Sequence, residues 1–236
     1  MISFVIPAYN EERSLPNCLD SIRAEVKRVR YDYEIIVVDN NSTDETAMVA
    51  KLLGAKVVSE LKKGVTRARQ TGFEASKYDI IAFIDADSVL PRFWLDHAID
   101  ALDDPRVVAA SGPVVYRDLS LFKRFVTASF YTIACLFHLF MPMLQGGNFI
   151  LKRSAFIQAG GFDTTIEFYG EDTATGKRLS KVGKIVFDYN MYVNTSARRM
   201  QQEGLVSTGF KYILNYLWIW IFDEPYTIKY KDHRTE

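Results

Sequence analysis

The stretch Ile80-Ile81-Ala82-Phe83-Ile84-Asp85-Ala86-Asp87 decides the predicted fold. Its apolar residues run without alternation into two carboxylates, which is typical of a strand buried on both faces of a parallel sheet. Ligands of open parallel sheets bind outside the carboxyl ends of the strands, so Asp85 and Asp87 stand where a ligand would bind. Neighbouring carboxylates repel each other unless a cation or a donor satisfies them, and Mg²⁺ or Mn²⁺ commonly bridges carboxylates to substrate phosphates. The alternative is a solvated acidic turn.

Apolar runs on either side of this stretch predict an alternation of strands and helices. Strands are predicted at residues 2–6, 34–39, 55–59 and 107–111, and helices at residues 15–29, 65–77, 91–102 and 173–182. Pro7 should end the first strand, and the capping-box spacing of Ser42 and Glu45 predicts another helix, which Gly54 would end. The alternation predicts a Rossmann-like α/β fold with three layers, α/β/α, and a mostly parallel central sheet.

Length and composition bound the possible functions. A chain of 236 residues fits one large domain or a domain with an appendage. Because 29 basic residues balance 29 acidic ones, the net charge gives no support to a nucleic-acid partner. Cys18 and Cys135 match no metal-ligand spacing and suggest no disulfide framework. Residues 1–6 do not look like a signal peptide, so a cytoplasmic location is expected.

Polar or aromatic residues follow several of the predicted strands. Asp39 and Asp85 could accept hydrogen bonds from a base or from ribose hydroxyls, and Tyr9 could cover a base. Arg69, in the helix after Gly64, could reach a pyrophosphate or hold the Asp85 carboxylate. Such residues on neighbouring strands indicate a nucleotide crevice, although neither G-x-G-x-x-G nor G-x-x-x-x-G-K-[ST] is present in the sequence.

Several stretches resemble, in order, the motifs of the GT-A-fold glycosyltransferases of family 2. They are V-I-P-A-Y-N-E-E at residues 5–12, V-V-D-N-N-S-T-D at 37–44, K-G-V-T-R-A-R-Q-T-G at 63–72, D-A-D at 85–87, G-G-N-F-I-L-K-R at 146–153, G-G-F-D at 160–163 and G-E-D at 170–172. The family has Asp-Gly where this chain has Asn40-Asn41, and Asn where it has Gln70. The resemblance covers about residues 2–190 and implies the GT-A form of the predicted fold.

The resemblance implies a role for most of these motifs. The donor would be a nucleotide diphosphate sugar, with a UDP-sugar favoured and a GDP-sugar as the second choice. The residues expected to bind it are Pro7, Ala8, Tyr9, Glu11, Asp39, Asn41, Arg69, Asp85, Ala86 and Asp87. Asp39 would face the base, Asp85 the ribose or the water shell of the metal, and Asp87 a Mg²⁺ or Mn²⁺ ion. Gly147, Asn148 and Glu171 would contact the acceptor or the sugar.

Asp172 would be the general base that takes the proton from an acceptor hydroxyl as it attacks the anomeric carbon. One displacement inverts that centre, and the absence of Q-x-x-R-W favours transfer of a single sugar. Glu171 and Asp172 are also the acidic residues that a helix start favours, and both interpretations can hold together. Arg198 and Arg199 could clamp the diphosphate or an acceptor phosphate. The alternative is a solvated basic turn, more so for Arg199.

The predicted function is therefore that of an inverting, metal-dependent glycosyltransferase. Two alternatives stay open: a catalytically inactive nucleotide-sugar-binding module, and a sugar-nucleotide nucleotidyltransferase, which would need a glycine-rich loop after the first strand. The predicted catalytic domain is residues 1–205, with a nucleotide-binding half at 1–112 and an acceptor half at 113–205. Residues 206–236 would form an apolar and basic helical appendage.

Two apolar runs raise the question of a membrane. Residues 125–144 are long enough to span a bilayer, but a crossing would separate Asp87 from Asp172, which must meet at one reaction centre. Residues 212–222 are too short to span and are rich in Trp and Tyr. The basic residues beyond them are Lys229, Lys231 and Arg234. Each run could be a core helix or an interfacial one, and together they favour a peripheral enzyme on the cytoplasmic face of the membrane, with a glycan or lipid-linked acceptor.

Overall fold

A seven-stranded sheet forms the centre of the computed structural model, which describes residues 1–138, 140–166 and 169–227. The strands are β1 (Ile2–Ala8), β2 (Tyr33–Asp39), β3 (Lys56–Ser59), β4 (Ile80–Ile84), β5 (Val107–Ser111), β6 (Val114–Tyr116), β7 (Asn148–Lys152), β8 (Lys184–Phe187) and β9 (Val193–Thr195). The order in the sheet is β3-β2-β1-β4-β7-β5-β8, while β6 and β9 form a separate parallel pair. All strands of the sheet run parallel except β7, so the predicted mostly parallel sheet is confirmed.

Helices cover both faces of this sheet. They are α1 (Leu15–Val29), α2 (Thr46–Leu52), α3 (Val65–Ala75), α4 (Trp94–Asp103), α5 (Leu121–His138), α6 (Arg153–Gln158), α7 (Glu171–Leu179), α8 (Arg198–Glu203) and α9 (Leu205–Phe222). One buried apolar cluster joins α1, α2 and α4 to the sheet, and a second joins α3, α6 and α7 to its other face. The predicted three layers follow from strands such as β4, whose residues 81–84 are buried.

Two local predictions about the first half of the chain were wrong. Pro7 does not end β1, which continues to Ala8, because the pairing with β4 stops at Val5 and only β2 pairs with the last residues of the strand. Ser42 does not cap α2. Its hydroxyl accepts a hydrogen bond from the Asn10 N–H, and α2 begins at Thr46.

The antiparallel strand β7 was not predicted from the sequence pattern. It enters the sheet between β4 and β5, with Ile150 opposite both Ala82 and Ala110. The consecutive strands β4 and β5 are therefore separated in the sheet by β7, a strand from later in the chain. This insertion brings the loop before β7, which contains Gly146 and Gly147, to the carboxyl end of β4.

The two apolar runs form helices that are partly exposed. The first run lies mainly in α5, which ends at His138, and its last residues, Met143 and Leu144, are buried in the core. The second run lies in α9, which packs against α7 through Ile219. The helices among the described residues all fall short of the length and apolar character that a bilayer crossing requires. The predicted basic residues Lys229, Lys231 and Arg234 lie outside the described residues.

Candidate active site

A cavity of about 330 Å³ opens at the carboxyl ends of β1 and β4. Most of the predicted site residues line it: Pro7, Ala8, Tyr9, Glu11, Arg69, Asp85, Ala86, Asp87, Glu171, Asp172 and Arg199. The parallel register explains the grouping on the sheet side, because the strand ends meet at one edge. The segment before β7 and the first turn of α7 close the opposite side through Gly146, Glu171 and Asp172.

Arg69 joins two of the carboxylates in this cavity. Its guanidinium donates to Asp85 Oδ1 at 2.8 Å and to Glu171 Oε1. Arg69 and Glu171 are both almost fully buried, with side chains 3% and 5% exposed. Burial raises the pKa of the Glu171 carboxyl to about 7, although the charge of Arg69 acts in the opposite direction. Of the two roles predicted for Arg69, the structure contains the contact with the Asp85 carboxylate.

Asp172 lies in the first turn of α7 and points into the cavity. Its Oδ2 accepts a hydrogen bond from the Gly146 N–H at 3.0 Å, and its Oδ1 accepts one from the Thr173 N–H at 2.8 Å. Burial raises the pKa of Asp172, and these two N–H donors oppose the rise. The carboxylate is therefore held in a fixed orientation at a helix start, as the helix-start interpretation requires, and it also faces the reaction space.

Asn148 and Gly147 do not line this cavity, in contrast to the prediction that they contact the acceptor or the sugar. Asn148 is fully buried, and its side chain bonds to Trp94 Nε1 and to the carbonyls of Gly112, Pro113 and Met191. The Asn148 side chain thus ties three segments together beneath the site. Gly147 has φ +73°, and a Cβ there would overlap the Asp85 carboxyl group, so this glycine makes room for Asp85.

The two asparagines after β2 have separate structural tasks. The Asn40 amide donates to the carbonyls of Glu60 and Lys62, while its Oδ1 accepts from the Gly64 N–H at 2.8 Å. An aspartate could not donate these bonds, which explains the amide at this position. Asn41 adopts φ +62°, a region that asparagine tolerates, and it is exposed outside the cavity. Asp39 also lies beside the cavity rather than in its lining, and its Oδ1 accepts from the Ser42 N–H.

Arg198 and Arg199 are in helix α8, so the alternative of a solvated basic turn was wrong. Arg198 forms an ion pair with Glu11 at 2.6 Å and lies 3.7 Å from Asp87 Oδ2. Arg199 donates to the Tyr212 hydroxyl at 2.8 Å. The Asp87 carboxylate also accepts a hydrogen bond from the Thr195 hydroxyl at 3.1 Å. These contacts connect α8 and β9 with the ends of β1 and β4.

Several cavity residues were not predicted as site residues. Lys63 lies with its Nζ 4.1 Å from the centroid of the Tyr9 ring and donates to the Tyr9 hydroxyl. Its place in the K-G motif could have identified it. Tyr212 comes from α9, within the stretch predicted to be an appendage, and it lines the cavity. No local pattern separates it from the apolar residues around it. Helix α9 thus contributes to the cavity, although the predicted domain boundary after residue 205 places this helix outside the catalytic domain.

Asp85 and Asp87 form a donor set that fits a hard divalent cation. Both carboxylates line the cavity, and the absence of a Cβ at Gly147 lets the Asp85 carboxyl group occupy its position there. No cluster of three or more histidine, cysteine, aspartate or glutamate ligands occurs in the part of the chain that the structure describes. Mg²⁺ usually binds through one or two carboxylates together with water and substrate phosphates. The pair therefore suits a metal that a phosphate-bearing substrate completes, rather than a closed structural site.

Comparisons with known proteins identify the family of this sequence. The sequence matches the pattern described as Glycosyl transferase family 2 over residues 3–162. The chain is 42% identical over 108 residues to the uncharacterized glycosyltransferase Rv0539 of Mycobacterium tuberculosis, covering 46% of this chain and 42% of that protein. It is 40% identical over 93 residues to an undecaprenyl-phosphate 4-deoxy-4-formamido-L-arabinose transferase of Pseudomonas fluorescens, covering 36% of this chain and 27% of that protein. The chain thus spans less than half the length of these curated relatives.

A solved structure shows the same fold. The mannosyltransferase PcManGT of Pyrobaculum calidifontis, in complex with GDP-Man and Mn²⁺, superposes with a TM-score of 0.69 at 23% sequence identity. The superposition covers 87% of this chain and 62% of that chain. The likeness confirms the predicted GT-A fold.

Proposed function

The chain belongs to glycosyl transferase family 2, and from that premise we propose that it moves a single sugar from a nucleotide diphosphate sugar to an acceptor, with inversion at the anomeric carbon. One observation carries this proposal: Asp85, Asp87 and Asp172 line the same cavity at the carboxyl end of the sheet. A leaving diphosphate and an attacking hydroxyl can both bind in such a cavity. Binding there would fix their relative orientation, which lowers the barrier to reaction.

The ends of β1 and β2 would hold the nucleotide. Tyr9 offers an aromatic face to the base, and the Lys63 ammonium beside that ring offers a positive charge to the phosphates. Asp39, paired in register with Ala8, would face the base from the rim of the cavity. We take a UDP-sugar as the first choice of donor and a GDP-sugar as the second, since PcManGT was solved with GDP-Man.

Asp85 and Asp87 would hold a Mg²⁺ or Mn²⁺ ion, which when bound neutralises the charge on the leaving diphosphate. Arg69 orients Asp85 through its 2.8 Å hydrogen bond, and Thr195 and Arg198 hold Asp87. Mn²⁺ is present in the PcManGT complex, which supports this assignment. Arg198 and Arg199 line a second cavity together with the carboxylate pair and would add positive charge there.

Asp172 would accept the proton of the acceptor hydroxyl. Because burial raises its pKa, this carboxylate is a stronger base than an exposed aspartate, and the N–H groups of Gly146 and Thr173 keep it aimed. Glu171 would position the sugar or the acceptor. Its Oε2 is buried and has no hydrogen-bond partner among the described residues, so it is ready to accept from a hydroxyl of the substrate.

The exposed faces of α5 and α9 would bind the protein to the surface of a membrane. On α9 the exposed apolar residues have helical spacing, which makes one continuous stripe: Val206, Phe210, Ile213, Leu217 and Ile221. On α5, Leu121, Phe122, Phe125 and Val126 are exposed next to Lys123. Apolar burial together with basic residues favours an interface with anionic lipid. We therefore place the enzyme at the cytoplasmic face of the membrane, with a glycan or lipid-linked acceptor.

Metal-dependent binding of sugar nucleotides tests the function. UDP- and GDP-sugars are screened for a rise in melting temperature with and without Mn²⁺, since a ligand of the folded state stabilises it. The donor that binds is then tested for transfer, and the anomeric configuration of the product is read by NMR. A product of inverted configuration supports the proposal. Binding without turnover at saturating Mn²⁺ would indicate an inactive binding module, and a lack of stabilisation by every sugar nucleotide would contradict the proposal.

A further inference from the structure

A second cavity, of about 120 Å³, adjoins the candidate active site on the side of α8 and α9. The two cavities share the carboxylate pair Asp85 and Asp87, and they share Arg199 and Tyr212. The second cavity has room for several water molecules. Its far wall is formed by α9, the helix whose opposite side carries the exposed apolar stripe. A group in this cavity would therefore lie between the reaction centre and that stripe.

Thr208 of α9 lines the second cavity and carries a polar atom without a partner. The residue is fully buried, and its Oγ1 makes no hydrogen bond within the described residues. Burying a hydroxyl without a hydrogen-bond partner costs free energy, so a folded protein rarely keeps one. Such a hydroxyl therefore indicates a partner from outside the chain, such as a ligand or a water molecule. Thr208 precedes Tyr212 by one helical turn, so the two hydroxyl-bearing residues are on the same face of α9.

The same cavity has positive charge beside this hydroxyl. Arg198 and Arg199 both line it from α8. The negative charges that border it are already engaged, because Asp85 is bonded to Arg69, and Asp87 is bonded to Thr195 and lies 3.7 Å from Arg198. Arginine recognises phosphate oxygens through several parallel N–H donors, and hydroxyls add further donors to the same oxygens.

We propose that the second cavity binds the phosphate group of the acceptor, with Thr208 donating its hydroxyl proton in a hydrogen bond and Arg199 supplying the charge. This inference rests on the proposed function, since it names the class of acceptor for the same reaction. A phosphate in this place would lie next to the carboxylate pair, and any chain attached to it would leave along α9. Lipid phosphates and soluble phosphate monoesters share this chemistry, and the experiment separates them.

The test measures binding directly, by isothermal titration calorimetry of the whole chain with farnesyl phosphate, farnesol and glycerol 3-phosphate. We expect farnesyl phosphate to bind and farnesol to bind far more weakly. Thr208→Val removes the hydroxyl, and the affinity for farnesyl phosphate should fall roughly ten- to hundredfold, as for the loss of a hydrogen bond to a charged group. The melting temperature of this variant should equal or exceed that of the wild type, because an unpartnered buried hydroxyl is removed.

Two further variants serve as controls. Thr208→Ser keeps a hydroxyl and should restore most of the affinity, while Ser207→Ala removes the neighbouring exposed hydroxyl and should change nothing. If glycerol 3-phosphate binds as tightly as farnesyl phosphate and Thr208→Val weakens both, the acceptor is a soluble phosphate monoester and the cavity assignment stands. If neither phosphate binds, or if Thr208→Val leaves the affinity for farnesyl phosphate unchanged, the inference is overturned.

Thermal stabilisation by sugar nucleotides, measured on the same preparations, separates this inference from the proposed function. Stabilisation by a sugar nucleotide without phosphate binding would overturn the inference alone. Phosphate binding that depends on Thr208, in a chain that no sugar nucleotide stabilises, would keep the phosphate site and contradict the proposed function.

Discussion

The two walls of the active-site cavity are built in different ways. The proposed donor wall consists of the strand-end residues Tyr9, Asp85 and Asp87, which follow central parallel strands of the sheet. The proposed acceptor wall consists of Arg199 and Tyr212, which line this cavity, and of Thr208, which lines the adjoining second cavity. All three residues are on the helices α8 and α9. Main-chain register fixes the first wall, whereas side-chain contacts hold the second one in place.

Side-chain contacts join these two walls among the described residues. Arg198 pairs with Glu11, and Thr195 donates to Asp87, while α8 itself starts where the Ala197 N–H meets the Asp118 carboxylate at 2.9 Å. Because the two walls are built in different ways, we expect mutations in one wall to have effects that are distinct from those of mutations in the other. Changes on the donor wall should affect nucleotide binding and chemistry, and changes on the acceptor wall should affect acceptor binding with little effect on the donor. The following predictions test that separation, from the largest expected effect to the smallest.

Asp87→Ala should reduce transfer by about 10³-fold or more, because the variant loses the charge arrangement at the leaving diphosphate. Donor affinity measured by calorimetry in Mn²⁺ should also fall. The melting temperature should stay close to that of the wild type, since this side chain is 21% exposed and lies outside the apolar core. Asp79→Ala, at the other end of the same strand, is the matched control and should leave activity unchanged. Full activity of Asp87→Ala, or undiminished turnover in excess chelator, would refute the metal assignment.

Asp172→Asn should lower kcat by roughly 10²–10⁴-fold, the usual effect of removing a general base. The variant keeps the size of the side chain and can still accept from Gly146, so calorimetry should give an unchanged donor affinity. Loss of donor binding would make Asp172 a donor-site residue and contradict its assigned role. A much smaller loss of kcat would show that the attacking atom is an anionic phosphate oxygen, which needs no base.

Phe210→Ser combined with Ile221→Ser should lower binding to anionic vesicles roughly tenfold or more, because both side chains belong to the exposed stripe of α9 and lose their apolar contact with lipid. They are 64% and 68% exposed, so circular dichroism should show an unchanged fold. Trp218 and Trp220 of the same helix are half-buried, so replacing them would disturb packing as well as the exposed face. Leu52→Ser, an equally apolar exposed site on α2, is the control. If the wild-type protein binds neither anionic nor neutral vesicles, the membrane proposal is contradicted.

Glu171→Gln should change the dependence of stability on pH. Burial raises the pKa of Glu171 from its ordinary value of 4.5 to about 7, so its stabilising contribution is complete below pH 4.5 and is lost as the pH rises through about 7. The variant lacks this titration. The melting temperature of the variant minus that of the wild type should therefore increase by a few degrees as the pH rises from about 5 to about 8. A relative gain by the wild type over the same range would mean that pairing with Arg69 outweighs burial.

The sequence predicted the donor wall better than the acceptor wall for a physical reason. An unbroken apolar run such as residues 80–84 is typical of a strand covered on both faces, and the residues that follow such a strand emerge at the ligand-binding edge of a parallel sheet. Thr208 and Tyr212 carry no such signal, because a helix that is apolar on most sides does not reveal which face packs inward. The motif led to the prediction that Asn148 contacts the substrate. Its side chain is instead buried against Trp94 and Met191, and contacts between residues so distant in sequence cannot be read from a motif.

Helix α9 has its exposed stripe on one side and Thr208 and Tyr212 on the other, and under the proposed membrane binding this arrangement has a kinetic consequence. Such an enzyme would be held on a bilayer by one face of the helix and would bind its acceptor with the other face. Enzyme and acceptor would then meet by diffusion in two dimensions. Its rate at constant bulk acceptor should then depend on the mole fraction of acceptor in the membrane, and dilution with inert lipid should slow it. The concentration that matters to this protein would be a surface density.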